Sequence, residues 1–350
     1  MQEISYQFVE RSPSNTYQNF GGLPPMNAGT LAQHAPDAHW MLIQDDKGIT
    51  AYCSLWWQNV PTYATPLMKG DRGDQAFAQN QHRLGLIGHY AAQDAESAQL
   101  LLNHACNQLA AHSCTLAVAP MDGNTWRRYR LLSDRGTEPI FFLEPDNPDE
   151  WCDHFREAGF TSFADYSSGL TTNLTQVDPR MVRVEQRLTE IGVKVRSLNL
   201  DNFERELQQI HQLSLISFRN NFLYTPISQT EFISQYSQIK PYVQPQLVLM
   251  AEHGDTLVGF LFAIPDLLQA KRGEAINTVI IKTVAVLPGK TYAGLGNLLV
   301  SQCQAIAHQL GYTRAIHALM HNANNSRNLS DRYAHTIRRY TLLAKPLAQL

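Results

Sequence analysis

Cysteine is scarce in this chain and patternless. The five occurrences, Cys53, Cys106, Cys114, Cys152 and Cys303, are odd in number, and no pair has C-x-x-C spacing. Neither a disulfide framework nor a cysteine-bound zinc is expected, and no metal site of another kind stands out. Cys106 and Cys303 fall on apolar helical patterns, where a thiol serves as a small core side chain. An excess of one charge is also missing. The 28 basic and 31 acidic side chains leave a formal charge of −3, so there is no broad basic field for nucleic acid. Long hydrophobic runs are absent too. The longest, residues 257–268, is broken by Gly259, Pro265 and Asp266 and is too short to span a bilayer. Residues 1–14 have no apolar signal core, and no low-complexity tract occurs. A cytoplasmic protein with no membrane or nucleic-acid partner is the expectation.

What the chain does have is length and apolar content. Its 350 residues suit two domains, and 44% hydrophobic residues give each a core. The expected division is a first domain over residues 1–172, a linker helix over 173–191 and a second domain over 192–350. Residues 171–180 are polar and contain Pro179, and a charged helix follows.

Strands and helices alternate in the second half, as in α/β architecture. Residues 193–198 read as a strand. Asp201, with Glu204 three residues on, starts a helix with a capping-box spacing. Residues 246–252 and 256–264 form two strands around His253-Gly254-Asp255. A β-rich run over 277–287 is followed by a helix over 295–310, ended by Gly311. Strands over 315–320 and 337–344 complete it. The first half follows the same order: a hairpin over 39–43 and 50–56, a strand over 84–90, a helix over 96–111, a strand over 115–120, a helix over 149–158 and a strand over 161–171. Sliding the halves by 303 − 106 = 197 positions superposes Cys106 on Cys303 with little identity, so the repeat rests on element order.

The informative stretch is Val284-Ala285-Val286-Leu287-Pro288-Gly289-Lys290-Thr291-Tyr292-Ala293-Gly294-Leu295-Gly296. A strand ends at Pro288, and a loop with Gly294 and Gly296 opens into a helix. Glycines allow close backbone approach, and unbonded N–H groups at a helix start bind phosphate oxygens.

This strand, loop and helix start resemble the GNAT superfamily of acyl-CoA-dependent N-acyltransferases, whose loop reads Q/R-x-x-G-x-G/A. Thr291 replaces the usual Gln or Arg. The resemblance covers residues 192–345 well and 1–171 in outline. It implies two GNAT-like α/β domains, each a mixed, mostly antiparallel sheet flanked by helices, with a degenerate first half. It also implies coenzyme A bound along Val284, Ala285 and Val286 and cradled by Thr291, Tyr292, Ala293, Gly294, Leu295, Gly296 and Asn297. Asn325 would touch the cofactor arm. Tyr333 would protonate the departing thiolate, since a phenol titrates near 10 and a thiol near 8.5. Backbone N–H groups of residues 284–286 would polarise the thioester carbonyl. No carboxylate lies between Asn277 and Leu287, where relatives carry a base, so water, Glu231 or Asp331 is left for that role, or no base is needed. Lys282 on that strand reads as either cleft-facing or solvated.

Residues 217–226 mix aromatic, amide and hydroxyl groups between two helices that border the acceptor cleft in this superfamily. Asn221 and Tyr224 are the acceptor candidates, against an ordinary loop packed by Phe218 and Phe222. In the first half the 197-residue shift puts Asp94 and Glu96 on the phosphate loop, where carboxylates would repel a diphosphate. Trp126 with Arg127, Arg128 and Arg130 reads as an anion reader or a solvated basic face. The function expected is acyl transfer, acetyl first, to an amine of a small molecule or peptide. The alternatives are a CoA- or ligand-binding protein without turnover and an aminoacyl- or peptidyl-transferring relative.

Overall fold

The structure, a computed structural model, describes residues 5–11, 22–64, 81–176, 178–322 and 334–348. It forms two compact units. Unit one comprises Met1–Ser133, Pro145–Asp165 and Thr341–Leu350; unit two comprises Asp134–Glu144 and Tyr166–Tyr340. The units do not follow the contiguous division at residues 172 and 192, because each takes a strand from the other half of the sequence.

Unit one begins with β1 (Tyr6–Glu10), α1 (Ala28–His34), β2 (Ala38–Gln44) and β3 (Gly48–Trp56). The short pair β4 (Tyr63–Ala64) and β5 (Gln81–His82) precedes β6 (Leu84–Ala92), α2 (Ala95–Ala111), β7 (Leu116–Ala119), β8 (Leu131–Asp134) and α3 (Trp151–Glu157). Strand β9 (Thr161–Thr171) then carries the chain into unit two. There follow α4 (Arg180–Glu190), β10 (Val193–Ser197), α5 (Phe203–Ser217), α6 (Gln229–Ser237), β11 (Val248–His253) and β12 (Thr256–Pro265). Helix α7 (Leu267–Lys271), β13 (Thr278–Val286), α8 (Leu295–Gln309), β14 (Arg314–His321) and β15 (His335–Pro346) complete it.

The two sheets have one design. Unit one orders its strands β1-β2-β3-β6-β7-β15, and unit two orders its own β10-β11-β12-β13-β14-β9. In each, the fourth and fifth strands are parallel, β6 with β7 and β13 with β14. The sixth strand is antiparallel and exchanged: Leu343 pairs Ala119 in unit one, and Thr171 pairs Ala315 in unit two. Each unit is thus a mixed, mostly antiparallel sheet flanked by helices.

Helix α4 is not a linker. It belongs to unit two, packs on α8 and buries Met181 and Leu188. Helix α2 buries Ala98, Leu101, Leu102, Ala105, Cys106 and Leu109 at helical spacing against β2, β3 and β6. All five cysteines are unpaired and buried, and burial pushes the Cys303 thiol up to about 12, far from a nucleophile. Strand β13 is apolar on both faces. Val279 and Ile281 join the α8-side core, while Ile280 joins a second cluster with Phe141, Leu170 and Ile316.

Phe141 comes from the segment Asp134–Glu144, an arm of unit two. Glu144 ends it, accepting from Arg338 Nε at 3.1 Å and from the Tyr340 hydroxyl. Both charged side chains are essentially inaccessible, Arg338 at 1% and Glu144 at 0%.

Two buried histidines make stability depend on pH. Burial lowers His39 in unit one to about 3 and His317 in unit two to about 4. Unfolded imidazoles take up protons near 6.5, so the unfolded chain binds more protons between pH 6.5 and 4. The stability these groups allow is full above pH 6.5 and is lost as pH falls through that window. Each contributes at most about 1.4 kcal/mol per pH unit. Urea unfolding at pH 7 and pH 5 should show a lower midpoint at pH 5; equal midpoints would contradict neutral burial.

Candidate active site

The site in unit two starts at a bulge. Between Phe262↔Thr283 and Ala263↔Ile281, Lys282 is the extra residue of β13. Beyond it Leu287 N–H bonds Val258 O at 2.8 Å, so strand alternation turns the backbone groups of Val284 and Val286 away from β12. On that other side, the ladder with β14 ends at Ile281↔His317. Both strands continue, but among the described residues they pair no further. The edge of Val284 and Val286 is therefore left unpaired by β14, where an amide-bearing chain could pair with it. Ser217 Oγ, at the end of α5, donates to Val286 O at 3.0 Å.

Residues 287–294 form an eight-residue loop into α8. Ala293 N–H bonds Lys290 O, Leu295 N–H bonds Tyr292 O, and the first helical bond is Leu298 N–H to Gly294 O. Gly296 and Asn297 consequently present N–H groups with no acceptor one turn back. Arg187 of α4 donates to the carbonyls of Thr291, at 2.9 Å, and Ala293. In a planar trans peptide, a carbonyl drawn toward Arg187 turns the next N–H the opposite way, which aims the N–H groups of Tyr292 and Gly294 away from α4. The loop lacks the expected Gln or Arg at position 291, yet a guanidinium braces it from a helix a hundred residues earlier. Tyr292 is fixed by its hydroxyl, 3.0 Å from His253 Nδ1.

The two glycines differ in what they permit. Gly294 has φ +86°, and a Cβ there would lie 3.0 Å from Val184 Cγ1. It is required both by backbone conformation and by the approach of α4. A Cβ on Gly296 would meet only Val284 Cγ1 at 3.6 Å and Val286 Cγ2 at 3.7 Å, ordinary contacts.

Unit one has no such loop. Its strand β6 and helix α2 start at residues 84 and 95; β13 and α8 start at 278 and 295. The offsets, 278 − 84 = 194 and 295 − 95 = 200, differ by six residues. Only Gln93 and Asp94 join β6 to α2, and Asp94 Oδ1 caps the helix by accepting from Ser97 N at 2.8 Å. The ungapped 197-residue shift therefore misplaces Asp94 and Glu96: the loop is missing, not acidified. The edge left open in β13 is also closed in β6. Met121 N–H bonds Ile87 O at 2.8 Å, and a Cβ on Gly88 would lie 2.3 Å from Met121 O. Arg127 donates to His34 O, Arg128 to Asp146 O, and Arg130 lies 4.0 Å over the Tyr129 ring. Arg127 and Arg130 brace the protein's own backbone and rings, while Arg128 is exposed.

Beside this edge of unit two, residues 217–224 reach both β13 and β14. Ser217 touches β13, and Phe222 lies 5.6 Å from the ring of His321 at the end of β14. Tyr166 meets the same imidazole edge-on at 4.9 Å. Asn221 is exposed, and its carbonyl accepts from Tyr224 N at 3.1 Å. The Tyr224 hydroxyl is directed back to Leu215 O at 3.5 Å, and burial raises its pKa. Lys282 Nζ donates to Leu143 O at 2.8 Å, in an exposed contact. Glu231, in the first turn of α6, is half-buried, and its N–H donates to Ser228 Oγ at 3.2 Å. Tyr333, Asn325 and Asp331 lie outside the described residues. Arg187 and His321 were not legible in the sequence, since neither sits in a recognisable spacing with the loop.

No family model matches the chain, and no curated protein compared with it matches. Solved structures do. A GCN5-related glucosamine N-acetyltransferase region of a fungal multi-domain GH3 β-N-acetylglucosaminidase aligns with 99% of the chain at TM-score 0.53 and 11% identity, although the chain spans only 38% of that protein. A GCN5-related N-acetyltransferase from Anabaena variabilis gives 0.52 at 9% identity, over 98% of this chain and 73% of that one. A tandem GNAT protein from the clavulanic acid biosynthesis pathway gives 0.50 at 10% identity, over 98% and 99%. The fold of this chain is the GNAT fold, laid down twice in tandem.

Proposed function

We propose that unit two transfers an acyl group, acetyl in the first instance, from coenzyme A to a primary amine of a small molecule or peptide, in the cytoplasm. One observation carries this reading: an eight-residue loop ending in a left-handed Gly294 delivers unbonded N–H groups to the start of α8, beside an unpaired edge of β13. Such a helix start suits a diphosphate. Thr291 through Asn297 would hold it, and Val284, Ala285 and Val286 would align the amide-bearing arm with Asn325 alongside. Bound acyl-CoA supplies the activated thioester. The Val286 N–H would polarise its carbonyl. Asn221 and Tyr224 would border the amine, and Tyr333 would hold the proton that the thiolate receives.

The second reading, ligand binding without turnover, is favoured by the absence of a carboxylate on β13. Calorimetry of the full chain with acetyl-CoA, followed by product analysis with a panel of amines, separates the two. One site per chain and an acylated amine are expected; binding without product supports the second reading, and no binding overturns both. Tyr333→Phe should lower kcat by about 100-fold, the lower end of general-acid contributions, and leave CoA affinity within a few-fold. Loss of affinity instead would make Tyr333 a binding or packing residue.

A further inference from the structure

We propose that unit one carries a site for a divalent transition cation of the zinc class, formed by His34 Nδ1, His89 Nε2 and Asp122 Oδ2. The three residues come from the last turn of α1, from β6 and from the chain after β7. Their ligand atoms all lie within 4.8 Å of one another. His34 Nδ1 is 2.8 Å from His89 Nε2, and Asp122 Oδ2 is 3.8 Å from that same nitrogen. The second distance is too long for a hydrogen bond. Donors that share one tetrahedral ion at 2.0–2.1 Å stand roughly 3.3 Å apart, between the two observed values. Closing the geometry takes an opening of the imidazole pair by about half an ångström and an approach of the Asp122 carboxylate by about as much. His34 is the half-buried member at the end of a short helix, so its ring can make that turn.

The other two donors are oriented in advance. His89 has φ 45°, a conformation unusual for histidine, and its N–H bonds Asp122 Oδ1 at 2.6 Å. That bond leaves Oδ2 directed at the imidazole. His89 Nδ1 lies 2.8 Å from Ser54 Oγ, which lies 2.8 Å from His39 Nδ1. An ion on Nε2 places the His89 proton on Nδ1, where Ser54 Oγ accepts it, the outer bond that orients a metal-bound histidine. Ser54 then donates to His39. Two nitrogens and one carboxylate oxygen suit zinc and its neighbours better than calcium or magnesium. Arg127 approaches from the backbone side, donating to His34 O at 3.0 Å and Asp122 O at 3.4 Å. Its charge reduces the affinity without taking any of the three ligand atoms.

The site stands where unit two keeps its open edge, beside the strand that follows the bulge. Its role is structural. Helix α1 has seven residues and buries none of them, so it has little packing of its own to hold it. A cation joining His34 to His89 and Asp122 clamps that helix to the sheet and adds its binding energy to folding.

The test uses tag-free full-length protein stripped with chelator. Zinc titrated by calorimetry against a competing chelator should give one ion per chain, and cobalt(II) in its place should show the visible absorption bands of a four- or five-coordinate nitrogen and oxygen site. His34→Ala should weaken zinc at least about 100-fold, because loss of a direct ligand exceeds the 10–100-fold typical of outer partners. Asp122→Asn serves as the second variant should the first not fold. Absence of stoichiometric zinc in the parent, or affinity unchanged in a folded variant, overturns the proposal.

Discussion

Gly296→Asp is expected to abolish CoA binding while the protein stays folded. The structure favours this position over Gly294. A side chain at Gly294 would have to adopt a left-handed backbone and displace Val184, so a loss of binding there could come from a disturbed α4. Gly296 has no positive φ, and its added Cβ meets only ordinary contacts. An acidic residue in the first turn also complements the helix dipole, so α8 should not be weakened. The same carboxylate stands among the N–H groups proposed to hold the diphosphate. Like charges about 4 Å apart near a protein surface cost about 4 kcal/mol, a factor of about 1,000. Calorimetry should find CoA affinity reduced by at least that factor, with the thermal melt unchanged. Gly296→Ala, which adds volume without charge, should lose far less. A folded Gly296→Asp protein with parental affinity would remove the loop from the functional reading.

The contrast between these glycines marks how far the sequence could be read. Element order was legible because the periodicities are strong: α2 and α8 each carry an apolar stripe around a buried cysteine, and β13 is a long apolar run ending at Pro288. The loop was legible because its requirement is local, with Gly294 supplying a left-handed residue at a helix start. What brackets the loop was not. Arg187 belongs to a charged helix whose composition suits a linker, and only packing on α8 brings its guanidinium to the carbonyls of Thr291 and Ala293. The degeneracy of the first half was legible, but its cause was not. A fixed shift of 197 residues aligns the helices' cysteines and conceals a six-residue deletion, which shows only when the ends of β6 and the start of α2 are known. The cluster of His34, His89 and Asp122 was hidden for the same reason: spacings of 55 and 33 residues match no ligand motif, and a bulge in β6 brings them together. The strand exchange was illegible because β9 and β15 have similar apolar alternation, and composition does not say which sheet edge either one will join.

That exchange leads to the largest expected effect on stability. Glu144→Ala should destabilise unit two by about 3–5 kcal/mol, the usual cost of removing one partner of a buried ion pair. The remaining partner cannot escape. Arg338 is 1% exposed and also donates to the carbonyls of Arg135 and Glu138, so its guanidinium stays in place when the carboxylate is gone. The Tyr340 hydroxyl and the Phe141 N–H lose an acceptor in the same step. The Tyr340 hydroxyl keeps Ser168 Oγ at 3.1 Å, whereas the Phe141 N–H left without a partner adds a penalty of about 1–3 kcal/mol at most. Hydrogen exchange should localise the loss to the arm and to β15, and urea unfolding should measure it. Glu144→Gln keeps an acceptor and should lose less. Glu144→Gln combined with Arg338→Met removes both charges and should recover most of the deficit, since a buried pair exchanged for neutral groups is often close to neutral overall. A fragment starting at residue 180 is likewise expected not to fold as unit two. It would contain Arg338 without Glu144, and β14 without the strand that pairs Ala315 with Thr171, leaving a bare apolar edge. A loss below about 1 kcal/mol in Glu144→Ala would place the pair in solvent, within the range of exposed ion pairs, and would detach the arm from unit two.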